Sequence, residues 1–547
     1  MNTLQTAEQH IQPYRARQID NTLLDHLLQT LPQLEAAGLV TSSDDLCSRF
    51  NATVREPKSP SQARLFILTC DRKGTVNRLL RSILAIEELG GFEALYLLDD
   101  SRDQARAEDN RQVLETFTDK IPLPLRYFGA LEKSEMLEEL RGRLPENPEA
   151  LHYLLDTAKW SGHCTYGLSR NWALLLSAGR RCLMLDDDVL CEAYYPPYAR
   201  HSLQFCSTSV VDIFASEAAW RQEAHATEID PLNYHLQYLG NDLGNCLQRF
   251  DDRGLTPQAL MGMPATDLEL LAADAPILIS ENGSWGDPGC PIHPLLLNSA
   301  QPNIERILQA DPDLSLSFGK RQLRAINQCV KIARQASISQ MTGLDCSRML
   351  PPYFPAFRGE DGVFGWTVQH LYPESRVLTF NWGTPHLPVD SRTSSYHEEP
   401  VVPPVDIGAI RSYLESHLRV DGKSTPQTRL NLLAAVLREL ADKPTLELVA
   451  HARYEAQRAP AAVYARAAER LPYFTGHVPA FEQYLNHAAQ TAQQLLQNPP
   501  PLAQRYGMQS QLDDAAVVRH IASACGEFAE ALEQWPQLWE LAQEISG

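Results

Sequence analysis

Cys182-Leu183-Met184-Leu185-Asp186-Asp187-Asp188-Val189-Leu190 is the stretch that decides the fold class. The four apolar residues before the acids read as a buried strand. Three adjacent carboxylates at its end repel one another, and burial without compensation raises that cost. A divalent cation such as Mg²⁺ or Mn²⁺ offsets the cost, because hard oxygen ligands suit it. Mg²⁺ is commonly held by one or two carboxylates together with the phosphates of a substrate. Read in isolation, the same stretch is equally an acidic turn that follows a strand.

Working outward, the neighbouring stretches favour the cation. Leu65-Phe66-Ile67-Leu68-Thr69-Cys70 is another apolar run, and it ends in Asp71-Arg72. Val76, Leu79, Leu80, Ile83, Leu84 and Ile86 then recur with helical spacing, which spells strand, turn, helix. Ala94-Leu95-Tyr96-Leu97-Leu98 predicts a second strand, ending in Asp99-Asp100-Ser101. A helix from Gly167 through Arg170 and Asn171 to Leu176 leads into the Asp186 strand. Strands alternating with helices predict an α/β fold with a mostly parallel sheet between helical layers. Ligands of such sheets bind beyond the carboxyl ends of the strands, which is where these acids fall.

Thr69-Cys70-Asp71-Arg72, Asp99-Asp100-Ser101, Arg170-Asn171 and Asp186-Asp187-Asp188 resemble, in order and approximate spacing, the motifs of family 2-like GT-A glycosyltransferases. The resemblance covers roughly residues 61–400, and the ordered set is more specific than any one motif. It implies a GT-A sheet that binds a nucleotide-diphosphate sugar, a UDP-sugar being favoured, with Mn²⁺ or Mg²⁺ as cofactor. It further implies that Thr69, Asp71, Arg72, Asp99, Asp100, Arg170, Asn171, Asp186 and Asp187 line the donor site, with Asp187 in a supporting place. Asp186 and Asp188 would hold the metal. A histidine after the Glu-Asp element is a further metal ligand in many relatives; His386, in Leu378-Thr379-Phe380-Asn381-Trp382-Gly383-Thr384-Pro385-His386, fits by order, and His397 competes with it. Arg392, between the two, is a candidate to neutralise the leaving diphosphate.

Pro351-Pro352-Tyr353-Phe354-Pro355-Ala356-Phe357-Arg358 leads into Gly359-Glu360-Asp361-Gly362, which looks like the Glu-Asp element of the same family. A sugar hydroxyl is a poor nucleophile, so a carboxylate positioned to take its proton is expected there. Asp361 is the preferred base, and Glu360 orients it or binds an acceptor hydroxyl. The competing reading is that both acids only stabilise a helix N-terminus. Asn282-Gly283-Ser284-Trp285-Gly286-Asp287-Pro288-Gly289-Cys290 is dense in turn formers. It is either an acceptor loop, with Trp285 on a sugar face and Asp287 on a hydroxyl, or an ordinary turn with Trp285 in the core. Arg358 is a further candidate for acceptor contact.

The chain has 547 residues, more than one ordinary domain needs. Three regions are expected: a helical segment over 1–60, a catalytic α/β domain over 61–402, and a helical domain over 403–547. In the first, Leu23, Leu24, Leu27, Leu28, Leu31 and Leu34 form a stripe that Pro32 should kink or divide. In the last, helices are predicted from Ile410 to Leu418, Thr428 to Leu440, Leu446 to Ala456 and Phe481 to Leu496, with two more after Pro499-Pro500-Pro501. This domain caps the catalytic domain, forms homo-oligomers or binds the acceptor's carrier; the sequence does not choose.

A formal charge of −20 argues against nucleic-acid binding and against docking on anionic membranes. No apolar run approaches the ~18 residues of a membrane span, and no signal peptide is seen. The 11 cysteines lack zinc or disulfide spacing, so a cytoplasmic setting is expected. The resulting expectation is a metal-dependent glycosyltransferase, inverting by analogy, acting on a glycan, protein or lipid-linked acceptor. A scaffold protein with a degenerate GT-A fold is the rival of another class. A sugar-phosphate nucleotidyltransferase is weaker, because Asp71-Arg72-Lys73-Gly74-Thr75 is not a glycine-rich phosphate loop.

Overall fold

The computed structural model describes residues 21–546 together with Gln9, Gln12 and Arg15, apart from 57–60, 147, 207–208, 320–321, 338–339, 390–396, 419–423 and 509–510. Arg392 and residues 57–60, at the boundary expected between the first two regions, lie outside the described residues.

The first strand, β1 (Ala63–Thr69), pairs in parallel with β2 (Phe92–Asp99) and with β4 (Arg181–Asp186), and β2 pairs in parallel with β3 (Leu125–Phe128). Register aligns their carboxyl ends: Thr69 lies opposite Asp99, and Leu68 opposite Asp186. Successive side chains of a strand point to opposite faces. Leu65 and Ile67 therefore enter one core with Val76, Leu79, Leu80 and Ile83 of α3 (Lys73–Ile83). Phe66 faces the other way, into a core with Tyr96, Leu168 and Trp172. Apolar residues on both faces explain why β1 reads as a continuous run. The helices between these strands are α4 (Gln104–Glu115), α5 (Ala130–Arg143), α6 (Pro148–Leu155) and α7 (Tyr166–Leu176).

Beyond β4 the expected parallel pairing gives way to mixed pairing. The remaining long strands are β5 (Ser209–Phe214), β6 (Ile277–Gly286), β7 (Gln322–Asn327), β8 (Val330–Ala333), β9 (Met341–Asp345) and β10 (Arg376–His386). The sheet continues β4-β9-β6-β10-β8, with β9 antiparallel to both β4 and β6, and β10 parallel to β6. One reversed strand thus leaves β4, β6 and β10 pointing the same way. The α/β architecture with a central sheet between helices is as expected, and helical extensions flank it on both sides in sequence.

Three local expectations change. The helix α1 (Asn21–Ala36) runs undivided through Pro32, whose ring lies on an exposed flank. The 282–290 stretch is not a turn over its first half: β6 extends through Asn282, Gly283, Ser284 and Trp285. Glycine serves close packing here, since a Cβ on Gly283 would meet the Ile326 side chain at 2.6 Å and the Ala325 carbonyl at 2.9 Å. The helix expected over 446–456 continues as α11 (Thr445–Phe474), through Pro460 and Pro472.

The segment before residue 60 is anchored by α2 (Ser43–Asn51). Its Asn51 amide donates to the Arg253 and Leu255 carbonyls, both at 3.0 Å, and accepts from Leu255 N–H at 2.9 Å. Residues on both sides of 402–403 share one core. Its helical part comprises α9 (Gly408–His417), α10 (Pro426–Asp442) and α13 (Asp514–Ser546), and α12 (Pro479–Gln497) packs on α11. Leu433, Val436, Leu437 and Leu440 of α10 are buried in this core together with Ala522, Cys525, Ala529 and Leu532 of α13. Polar ties cross the same seam: the Tyr153 hydroxyl donates to the Ala524 carbonyl at 2.8 Å, and Trp535 Nε1 to the Leu350 carbonyl at 2.6 Å. Among the described residues, no helix is long and apolar enough to cross a membrane.

Candidate metal and donor site

The segment after β4 crosses to the end of β10. Leu190 N–H donates to the Pro385 carbonyl at 3.0 Å, Leu387 N–H to the Asp188 carbonyl at 2.9 Å, and Val189 forms a bridge with His386. This crossing brings one oxygen each of Asp186 and Asp188 and one nitrogen of His386 within 4.8 Å of one another. His386 Nε2 lies 2.7 Å from Asp188 Oδ1. Its Nδ1 is buried with no hydrogen-bond partner. Two carboxylates and an imidazole form a donor set suited to Mn²⁺ or Mg²⁺. Burial raises the Asp186 carboxyl above its usual range, so its charged form wants a cation beside it.

Arg72 supplies part of that positive charge. Its Nη1 lies 3.2 Å from Asp187 Oδ1 and 3.5 Å from Asp188 Oδ2, and the side chain is half exposed. Asp187 also accepts from the Thr69 hydroxyl at 2.6 Å. Burial pushes the Asp187 carboxyl up to about 6, against the pull of these two donors. Asp187 and Thr69 are thus engaged with each other and brace the strand ends. Arg78 was not singled out from the sequence. Its Nη2 donates to the Leu387 carbonyl and, at 3.5 Å, to the Asp188 carbonyl, holding the crossing segment. Arg78 lies off the unbroken apolar stripe of α3, so no local pattern marks it.

Asp99 and Asp100 are differently placed. Asp99 is buried and accepts from Ser101 N–H at 2.8 Å, from Asn110 Nδ2 at 3.0 Å and from the Tyr127 hydroxyl at 2.8 Å. Asp100 accepts from Lys133 Nζ and from the Ser169 hydroxyl. Both carboxylates are occupied by the protein itself. The two oxygens of Asp99 hold the turn after β2. Asp71 adopts φ 60°, in the left-handed region, with its N–H on the Ser101 hydroxyl at 2.7 Å. Its Oδ1 is buried without a partner, so Asp71 is the acid at the β1 edge that still has an oxygen to offer.

Asn171 is likewise a tether. It is fully buried, donates to the Leu154 and Tyr353 carbonyls at 3.2 and 3.0 Å, and accepts from Tyr353 N–H at 2.7 Å. Every polar atom of its amide group is used, which corrects its assignment to the donor. Arg170, one residue earlier, donates to Glu360 Oε1 at 2.8 Å. Burial raises the Glu360 carboxyl against this guanidinium's opposing pull. Asp186 and Asp361 both add to the field at Arg170, so this arginine sits between the acids of β4 and those of α8 (Glu360–Leu371). Gly359 opens α8 at φ 91°, and a Cβ there would lie 2.9 Å from the Asp406 carboxyl carbon. Asp361 is partly exposed in the first turn of α8, with Oδ1 accepting from Gly362 N–H at 2.7 Å.

The acceptor candidates separate. Trp285 is fully buried, donates to the Tyr194 carbonyl at 3.3 Å and packs 5.2 Å from Trp220. This corrects the sugar-face reading: Trp285 is core. Asp287 is buried, and its N–H donates to the His386 carbonyl at 2.9 Å, beside the candidate metal ligands. Arg358 is exposed, with its guanidinium carbon 5.2 Å from the ring centre of Tyr166, itself exposed. His397 is not part of the acidic cluster; its ring lies 5.0 Å from that of His487.

No protein-family model and no curated protein matches the chain. Among solved structures, glucosyl-3-phosphoglycerate synthase from Mycobacterium tuberculosis, in complex with Mn²⁺, UDP and glucosyl-3-phosphoglycerate, is similar at 13% identity and a TM-score of 0.26, over 69% of this chain and 82% of that one. Mannosyl-3-phosphoglycerate synthase from Rubrobacter xylanophilus is similar at 11% identity and a TM-score of 0.27, over 71% of this chain and 83% of that one. At these scores the likeness carries no argument, and the reading below rests on the geometry of this chain.

Proposed function

We propose that the protein is a metal-dependent glycosyltransferase that takes a sugar from a nucleotide-diphosphate donor, with a UDP-sugar favoured. The observation that carries this reading is the convergence of Asp186, Asp188 and His386 at the carboxyl edge of β4 and β10. Those three residues would hold Mn²⁺ or Mg²⁺, and the ion would neutralise charge developing on the departing diphosphate. Arg72 adds a half-exposed cation beside the same acids. Asp71, with its unpartnered oxygen at the end of β1, is the candidate for contact with the nucleoside.

Asp361 is the proposed base. Glu360 is buried and fixed by Arg170, which leaves Asp361 as the more accessible carboxylate of the pair. The acceptor hydroxyl oxygen attacks the anomeric carbon, the bond from that carbon to the diphosphate breaks, and the hydroxyl proton passes to Asp361. A single displacement of this kind inverts the anomeric centre. Arg170 acts as a positioning residue, holding Glu360 and so the first turn of α8. None of the eleven cysteines is in a disulfide, which suits a reducing, cytoplasmic setting.

The test is a panel of nucleotide-sugars with and without Mn²⁺, read by thermal shift and by release of nucleoside diphosphate. A donor at about a hundred times its Kd adds ~2.7 kcal/mol of stability. Metal-dependent stabilisation with diphosphate release supports the reading. Stabilisation with no release by any donor, with or without acceptor sugars, makes the protein a binding module. No metal-dependent response to any donor removes the assignment.

A further inference from the structure

A second concave region lies toward the amino ends of β1 and β2, away from the acids. It is a cavity of about 490 Å³, inside the roughly 300–1,000 Å³ range of small-molecule sites. Arg64 of β1, Arg126 of β3 and Arg180, just before β4, line it, and Glu93 is the single carboxylate among its lining residues. Three guanidiniums facing one acid make a local positive excess in a chain whose formal charge is −20.

The arginines are held in place. Glu93 Oε2 accepts from Arg64 Nε at 3.1 Å and from Arg180 Nε at 2.7 Å. Arg64 Nη1 also donates to the Leu176 carbonyl at the end of α7. Tyr96 forms the floor. Its ring centre lies 5.8 Å from the Arg64 guanidinium carbon and 5.5 Å from that of Arg126, and its hydroxyl accepts from Arg126 Nη1 at 3.2 Å. Arg126 is otherwise exposed and makes no salt bridge among the described residues. An aromatic floor and a carboxylate brace fix the guanidinium planes, and fixed guanidiniums bind phosphate with paired N–H donors.

We infer that this cavity binds a phosphorylated small molecule, with Arg126 and Arg180 on its phosphate and the buried Arg64 adding positive charge behind them. The site is separate from the acidic edge and needs no metal. The volume exceeds what one phosphate group fills, which leaves room for an organic portion.

The test is calorimetry with inorganic pyrophosphate in the presence of EDTA, on the full chain and two variants. The full chain should bind. Arg126→Gln, at an exposed position whose loss the fold tolerates, should weaken binding about tenfold, the worth of one charge-assisted hydrogen bond. Asp188→Ala should leave pyrophosphate binding in EDTA unchanged, because the acidic edge takes no part. No binding by the full chain, equal binding by Arg126→Gln, or loss in Asp188→Ala in place of Arg126→Gln would each overturn the inference.

Discussion

The ends of β2 and β4 look alike as sequence and differ as chemistry. Each is an apolar run closed by consecutive aspartates. At β2, Asp99 receives three internal donors, and Asp100 is paired with Lys133 and with Ser169. At β4, Asp186 and Asp188 converge on His386, while Arg72 lies against Asp187 and Asp188 and Thr69 donates to Asp187. A buried carboxylate with all its hydrogen bonds made is a piece of scaffold. Two carboxylates and an imidazole drawn within 4.8 Å of one another form a donor set that a cation completes. The convergence of acids on an imidazole separates the two ends; the number of acids does not.

The sharpest way to break that contrast is Asp188→Ala. Mn²⁺ affinity should be lost and transfer should fall by roughly 10⁴, equivalent to several kcal/mol of charge stabilisation. Unchanged Mn²⁺ binding, measured by calorimetry on a folded variant, would show that β4 is as self-contained as β2. Asp361→Asn tests chemistry apart from binding. Transfer should fall by about 10³, within the usual worth of a positioned base, while donor affinity with Mn²⁺ is retained. A large loss of donor affinity would move Asp361 into the donor site.

Asp99→Ala probes the other end. It strands Tyr127, Asn110 and the Ser101 N–H, and should lower unfolding stability by about 3 kcal/mol without changing Mn²⁺ affinity. Chemical denaturation beside a Mn²⁺ titration checks both, and weaker Mn²⁺ binding at full stability would reverse the contrast. The smallest effect is expected from Asp187→Ala. As a support to the ligands it should cost roughly 10–100-fold in metal affinity. A loss greater than that of Asp188→Ala would exchange the roles of the two residues.

The strand ends were legible because burial on both faces writes continuous apolar runs, and acids closing such runs stand out. His386 was legible only by its order after Glu360-Asp361. What stayed hidden depends on partners remote in sequence. Lys133 reaches Asp100 from 33 residues away, and Arg170 reaches Glu360 from 190 residues away. Neither pair leaves a local pattern. The glycines at 283 and 286 misled for the opposite reason. They read as turn formers, whereas Gly283 lets β7 press against β6. Mixed pairing beyond β4 was equally unreadable, since β9 is the short stretch Met341-Thr342-Gly343-Leu344-Asp345 and nothing in it writes a strand direction.

The shared core across 402–403 also sets a schedule. Trp535 and Phe528 of α13 cover α6 and the loop before α8, packing with Tyr153, Leu350 and Phe354. Chains usually acquire structure from the N-terminus as synthesis proceeds, one unit at a time. Here the outer face of α6 and α7 cannot be closed until α13 has left the ribosome. Most of the polypeptide must therefore be kept from aggregating while its apolar face is open, and a nascent chain stalled before α13 should be a preferred client of holding chaperones.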